Sequence, residues 1–150
     1  MNVQILDVYN PLWLEILEKL DGDFYHLPQY LSIEAKRINA IPEAFLAVDG
    51  EKIFFVPYLL RKCDELILSS SIAEEFFDVV SPYGYPGFLY NQTAASDPAF
   101  FTLVANKLIS LFANKNICSA FFRLHPILNR DVLENFPENT FNFTNNGETI

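Results

Sequence analysis

Several of the patterns that announce a chemistry are missing from this chain. Cysteine is scarce. Cys63 and Cys118 are the only two, and their separation fits no zinc-ligand spacing, so they are expected to be reduced and to pack as small core hydrophobes. Histidine is as scarce. His26 and His125 lie far apart, neither beside a cysteine or a carboxylate pair in sequence, and a metal site needs three or four ligands at workable spacing. Ser81 is the only serine with glycines nearby, in Ser-Pro-Tyr-Gly-Tyr. A nucleophile elbow needs glycine on both sides of its serine and a helix directly after it, so hydrolase chemistry has no support.

Glycine is limited to five residues. The two on the most turn-rich stretch, Gly84 and Gly87, run into the strand-like Phe88-Leu89-Tyr90 rather than into a helix. A phosphate cradle needs glycines opening onto free helical N–H groups. The next helix starts at Asp97-Pro98, where an acid occupies the position an anion would take. Basic residues are outnumbered, ten Lys and Arg against nineteen Asp and Glu, for a net charge of −9. Such a surface repels phosphate backbones, which argues against direct nucleic-acid binding. There is neither a basic, then apolar leader at the N-terminus nor an apolar run of about 18 residues. The expectation is a cytoplasmic protein without a membrane span.

What is present suits one domain. At 150 residues the chain can bury roughly 70% of its unfolded surface. Half of it (51%) is hydrophobic, and fifteen Phe and seven Tyr favour a core of strands and large apolar contacts.

Val3–Val8 alternates as a short strand. Asn10-Pro11 opens a helix whose stripe is Leu12, Trp13, Ile16, Leu17 and Leu20, ended by Gly22. Asp23–Pro28 reads as a connector. Pro28 opens a second helix with Leu31, Ala35 and Ile38 on one face and Glu34, Lys36 and Arg37 on the other; Pro42 ends the helical pattern. Ala44–Val48 and Lys52–Leu60 flank Asp49-Gly50 as a hairpin. Pro57 cannot donate to a ladder, so it implies an edge or a bulge. Leu66–Ser69 reads as a short strand. Ser96 or Asp97 caps a helix with Pro98 in its first turn and Phe100, Val104, Leu108, Leu111 and Phe112 along one face. Ile117–Leu124 reads as a buried strand, Asp131–Asn135 as a brief helix, Phe141–Phe143 as a strand, and residues 145–150 as a turn with a strand beginning. The order predicts an α/β domain: a mixed, mainly antiparallel sheet flanked by helices on both faces.

Two places could carry function. Asp78–Tyr90 has a short apolar run, a turn dense in Gly, Pro and Tyr, and a second apolar run. Gly84 and Gly87 allow positive φ or close approach, while Pro82 and Pro86 stiffen the loop that carries Tyr83 and Tyr85. This is either a strand–loop–strand corner with its tyrosines packed over the core or a substrate-facing lip. Further on, Arg123 and His125 at period two on a strand end would point the same way and could grip a carboxylate or phosphate. The plain alternative is that Arg123 pairs with one of the many acids. Lys36, Arg37 and Arg61 are weaker candidates, the first two more naturally a solvated helix face. Tyr25 and Tyr30 read as the edge of the core.

Together Phe24-Tyr25-His26-Leu27-Pro28-Gln29-Tyr30, the strand Phe54–Arg61, the loop Ser81-Pro82-Tyr83-Gly84-Tyr85-Pro86-Gly87 and Phe122-Arg123-Leu124-His125-Pro126 resemble the first half of the Fem-type (FemAB/FemX-like) transferases. These are GNAT-fold proteins that move amino acids from aminoacyl-tRNA onto peptidoglycan precursors, with acyltransferase-like relatives in polysaccharide pathways. The resemblance runs over nearly the whole chain and about half of the family's usual length, and it implies a single GNAT-like domain ending as the first of two repeats completes. It implies an acceptor cleft lined by Tyr83, Gly84, Tyr85, Gly87, Arg123 and His125, with Arg123 on the acceptor's anion and the catalytic residues unassigned. The acceptor would be a sugar-nucleotide peptide or another amine. Acyl-CoA or aminoacyl-tRNA would be the donor by resemblance only, with no cofactor held by this half. The partner would be a second GNAT-like half or another copy of the chain. The other reading is a non-catalytic GNAT-like remnant that binds or dimerises.

Overall fold

The structure, a computed structural model, describes residues 1–64 and 74–142. The expected strands at Leu66–Ser69 and residues 145–150 fall outside the described residues. Phe141 and Asn142 form no strand, and Phe143 is not described.

The chain runs β1 (Asn2–Asp7), α1 (Leu12–Lys19), a 3-10 turn (Phe24–His26), α2 (Pro28–Ile38), β2 (Ile41–Asp49), β3 (Lys52–Lys62), β4 (Phe77–Val80), β5 (Leu89–Tyr90), α3 (Gln92–Ala95), α4 (Pro98–Asn114), β6 (Ile117–Phe121) and α5 (Val132–Asn135). Among the described residues the strands form one sheet in the order β1-β2-β3-β4-β6, with β5 also on β3. All pairs are antiparallel except β4 with β6. A parallel pair requires a crossover, and α4 supplies it. The mixed, mainly antiparallel sheet is thus the expected fold class.

Alternation along the hairpin sends side chains to opposite faces. Ala44, Leu46, Phe55 and Leu59 meet Trp13, Ile16 and Leu17 of α1 and Leu31 and Ala35 of α2. Phe45, Ala47, Phe54, Val56 and Tyr58 meet Phe100, Phe101, Val104 and Leu108 of α4. The second layer is largely aromatic. Phe54 stands in near edge-on contact with Phe45, Phe101 and Phe136 at centroid distances of 5.9–6.3 Å, the arrangement the ring quadrupole favours. Among the described residues no helix is long and apolar enough to cross a membrane.

Helix starts follow local chemistry. Asn10 Oδ1 accepts from the N–H of Leu12 at 3.0 Å. Asp97, rather than Ser96, caps α4 by accepting from Ala99, while Ser96 Oγ bonds back to the Gln92 carbonyl. Asn39, past the end of α2, takes φ 54°.

Three expectations are corrected. Pro57 lies in a central strand, opposite Ala44 of β2. On the other side, β4 pairs from Leu59 onward and β5 only at Phe54 and Phe55. β4 and β5 are therefore one strand's path interrupted by the excursion 81–88, and Pro57 stands opposite the interruption. Next, Ile117–Leu124 is not a buried strand: β6 stops at Phe121, and Cys118 to Phe121 are exposed. It is an outer strand of the described sheet. Finally, the cysteines are not core residues. Cys118 is exposed and Cys63 half-buried.

Candidate functional site

The excursion 81–88 leaves the carboxyl end of β4, and residues 122–129 leave the carboxyl end of its parallel neighbour β6. Crevices at the carboxyl ends of parallel strands are where open α/β sheets bind ligands. Here the two segments are laced together. Ser81 N–H donates to the Phe121 carbonyl at 3.0 Å and Gly87 N–H to the Arg123 carbonyl at 2.9 Å. Arg123 N–H donates to Ser81 Oγ at 3.0 Å.

The fastening at the centre is Asn129, which is buried. Its Oδ1 accepts from Phe88 N–H at 2.8 Å and His125 N–H at 3.0 Å, and its Nδ2 donates to the Phe88 carbonyl at 2.7 Å. Gly87 has φ +58°, and a Cβ there would lie 1.7 Å from Asn129 Oδ1 and 2.5 Å from His125 N. Glycine is needed for both conformation and space. Gly84, with φ +93°, lies against the Tyr25 ring, 2.4 Å from where its Cβ would be. Both glycines build the loop.

The other wall comes from the start of α2 and the turn before it. Tyr30 hydroxyl donates to the Tyr83 carbonyl at 2.7 Å. Tyr83 N–H donates to Glu34 Oε2 at 3.2 Å. The Arg37 guanidinium, bonded to Glu34 at 2.8 Å, is the main cause holding that carboxyl below its ordinary range, aided by Tyr83 N–H and opposed by burial. Phe24, Tyr25 and Tyr30 cluster with centroids 4.7–6.1 Å apart. Tyr30 is thus a wall of the loop as well as an edge of the core.

Beneath lies a His–Asp–His array. His26 is fully buried. Its Nε2 donates to the Pro86 carbonyl at 2.7 Å, and its Nδ1 accepts from Asp23 N–H at 3.0 Å. Burial is the main cause pushing its pKa down, against the Pro86 bond and the Asp23 charge. Asp23 Oδ1 sits 2.8 Å from that Nδ1, and Oδ2 sits 3.5 Å from Nε2 of His125. His125 Nδ1 accepts from the N–H groups of Ile127 and Leu128 at 3.2 and 3.1 Å. Trp13 Nε1 donates to the His26 carbonyl at 2.9 Å, tying the array to α1.

The candidates therefore separate. Tyr83 and Tyr85 are 69% and 57% exposed, so they are not packed over the core. Their loop is fixed while their phenols are free to meet a partner. Arg123 is exposed and has no carboxylate partner within ion-pair distance among the described residues. Its guanidinium carbon lies 5.8 Å from the centre of the Phe121 ring. Contrary to expectation, Arg123 and His125 lie beyond the end of β6 rather than on it, and His125 has both ring nitrogens directed into the protein. Arg61 is bound to Asp78 across β3 and β4, and Arg37 to Glu34. Among the described residues no three His, Cys, Asp or Glu side chains converge to hold a metal.

Sequence reasoning missed Asn129, Glu34 and Asp23. Asp23 carried a usable signal: Asp-x-x-His puts an acceptor at the cap of the 3-10 turn and an imidazole at its third residue, a reciprocal box. No protein-family model, curated protein or solved structure matches this chain.

Proposed function

We propose that this domain is the acceptor-binding part of a Fem-type N-acyl or aminoacyl transferase acting on a cell-wall or surface-polysaccharide precursor. The observation that carries the reading is the pair of interlocked segments at the carboxyl ends of β4 and β6. They form a rigid rim from which Tyr83 and Tyr85 project at one segment and Arg123 at the other. A guanidinium with no carboxylate partner among the described residues, on a protein of net charge −9, is a local exception in an acidic field. It offers a fork of donors to a phosphate or carboxylate, while phenols stack on sugar or peptide.

The chemistry is attack of the acceptor amine on an activated acyl carbonyl. The rim contributes orientation of the acceptor and electrostatic neutralisation of its anion, without a covalent nucleophile. His125 positions the segment that bears Arg123 instead of touching substrate. The donor, acyl-CoA or aminoacyl-tRNA, and the second GNAT-like half that would hold it follow from resemblance alone.

Titration calorimetry with a nucleotide-activated muramyl peptide, and acetyl-CoA in a parallel cell, tests this. Saturable binding of the peptide is expected, weakened at least about tenfold in Arg123→Ala, as loss of a charge-assisted bond implies. Acetyl-CoA binding instead would point to a small-molecule acetyltransferase. Silence in both cells favours the second reading, a GNAT-like binding or dimerisation module, for which the exposed strand β6, outermost among the described strands, supplies a pairing edge.

A further inference from the structure

We propose that Cys63 and Cys118 are a thiol-oxidation site at which a reversible intramolecular disulfide staples the outer strand β6 to the end of β3. The two Sγ atoms are 3.8 Å apart although the residues are separated by 55 positions. Neither cysteine serves the rim, which lies at the opposite end of the parallel pair.

The backbone brings them together. Cys63 follows the last residue of β3, and its N–H donates to the Phe76 carbonyl at 2.8 Å, extending the ladder by one step. Cys118 sits where the β4–β6 register breaks: Phe77 pairs with Ile117 and Asp78 with Ser119, leaving Cys118 as the inserted residue. A bulge re-aims the side chain of the inserted residue. Cys118 Sγ lies 3.3 Å from the Phe77 carbonyl, so the sulfurs meet above Phe77, where β4 begins between the two cysteines. Bond formation closes 3.8 Å to about 2.05 Å. The strand that must yield is bulged, has an exposed face and is the outermost of the described strands, the part of a sheet most able to do so.

The two thiols are unequal. Cys118 is exposed and meets oxidant, whereas Cys63 is half-buried and is held as the thiol, chiefly by burial and by its contact with Cys118. With a low-molecular-weight disulfide as oxidant, the Cys118 thiolate attacks one sulfur. A mixed disulfide forms and one small thiol leaves. The Cys63 sulfur, losing its proton, then attacks Cys118 Sγ and expels the second small thiol. Two protein thiols are oxidised, one small disulfide is reduced to two thiols, and the two protons end on those thiols.

The full chain is incubated with oxidised glutathione, quenched in acid and mapped without reductant. The expected product has lost two hydrogens, contains a Cys63–Cys118 cross-linked peptide, reverts with dithiothreitol, and melts about 5–15 °C higher than the reduced protein. Cys63→Ser should stop at a persistent glutathione adduct on Cys118. Cys118→Ser, altered at an exposed position, should give neither adduct nor cross-link. A lasting adduct in the unaltered chain, cross-links only between chains, or two thiols still open to alkylation after oxidation would each overturn the proposal.

Discussion

At the scale of single residues, the rim depends on a few buried residues behind the exposed ones. Gly87→Ala puts a methyl group where Asn129 Oδ1 stands and keeps it in the left-handed region. Strain and the displaced amide together should cost about 2–4 kcal/mol. Urea unfolding checks this, and a cost under about 1 kcal/mol would mean that the Asn129 fastening yields cheaply. His26 sets a pH dependence. Its native pKa is below the ordinary 6.5, so below that pH the unfolded chain binds more protons than the folded one. This contribution to stability is complete above pH 6.5 and declines as pH falls, until the native pKa is passed. As pH falls below 6.5 the unfolding free energy should fall by up to about 1.4 kcal/mol per unit for one proton. His26→Gln should flatten that slope, and an unchanged slope would assign it to other groups.

At the scale of elements, the joints between neighbours are made by short polar side chains. Asn91 caps α3 by accepting from Ala94 N–H at 3.1 Å. It also accepts from Ile53 N–H at 3.2 Å and donates to the Glu51 carbonyl. One amide thus fixes α3 to the hairpin turn. Asn91→Ala should cost about 1–3 kcal/mol, more than a helix cap alone, with early exchange of the Ile53 and Ala94 amides as the local readout.

Elements of this kind divide what the sequence can reveal from what it cannot. α1, α2, α4 and the β2–β3 hairpin are legible because apolar period, caps and turn residues lie within a few positions of one another. β5 is two residues long, and its existence depends on Phe54 and Phe55 far back in the chain. The run Ile117–Leu124 is apolar enough for a central strand. Hydrophobicity alone does not say that one flank of β6 would have no partner among the described strands. The rim is half legible. Glycine and proline mark the loop 81–87, and Tyr83, Tyr85 and Arg123 are as exposed as a lip requires. Asn129, in contrast, acts on Phe88 across 41 positions, and nothing local to Ile127–Arg130 marks it.

At the scale of the whole molecule, connections of very different length close one sheet. β2 and β3 meet across a two-residue turn, with Asp49 paired to Lys52. β4 and β6 meet only after α3 and α4 have been traversed. Loop-closure entropy makes such a parallel pairing slow and late. Because the rim is laced from the ends of those two strands, a chain with both helical layers and the hairpin formed still lacks it. On the proposed reading, acquiring the ability to bind and finishing the fold are then one event. A molecule captured by the rim would act as a folding ligand, raising stability by RT ln(1 + [L]/Kd), and newly made chains would be sorted by whether that molecule is there to meet them.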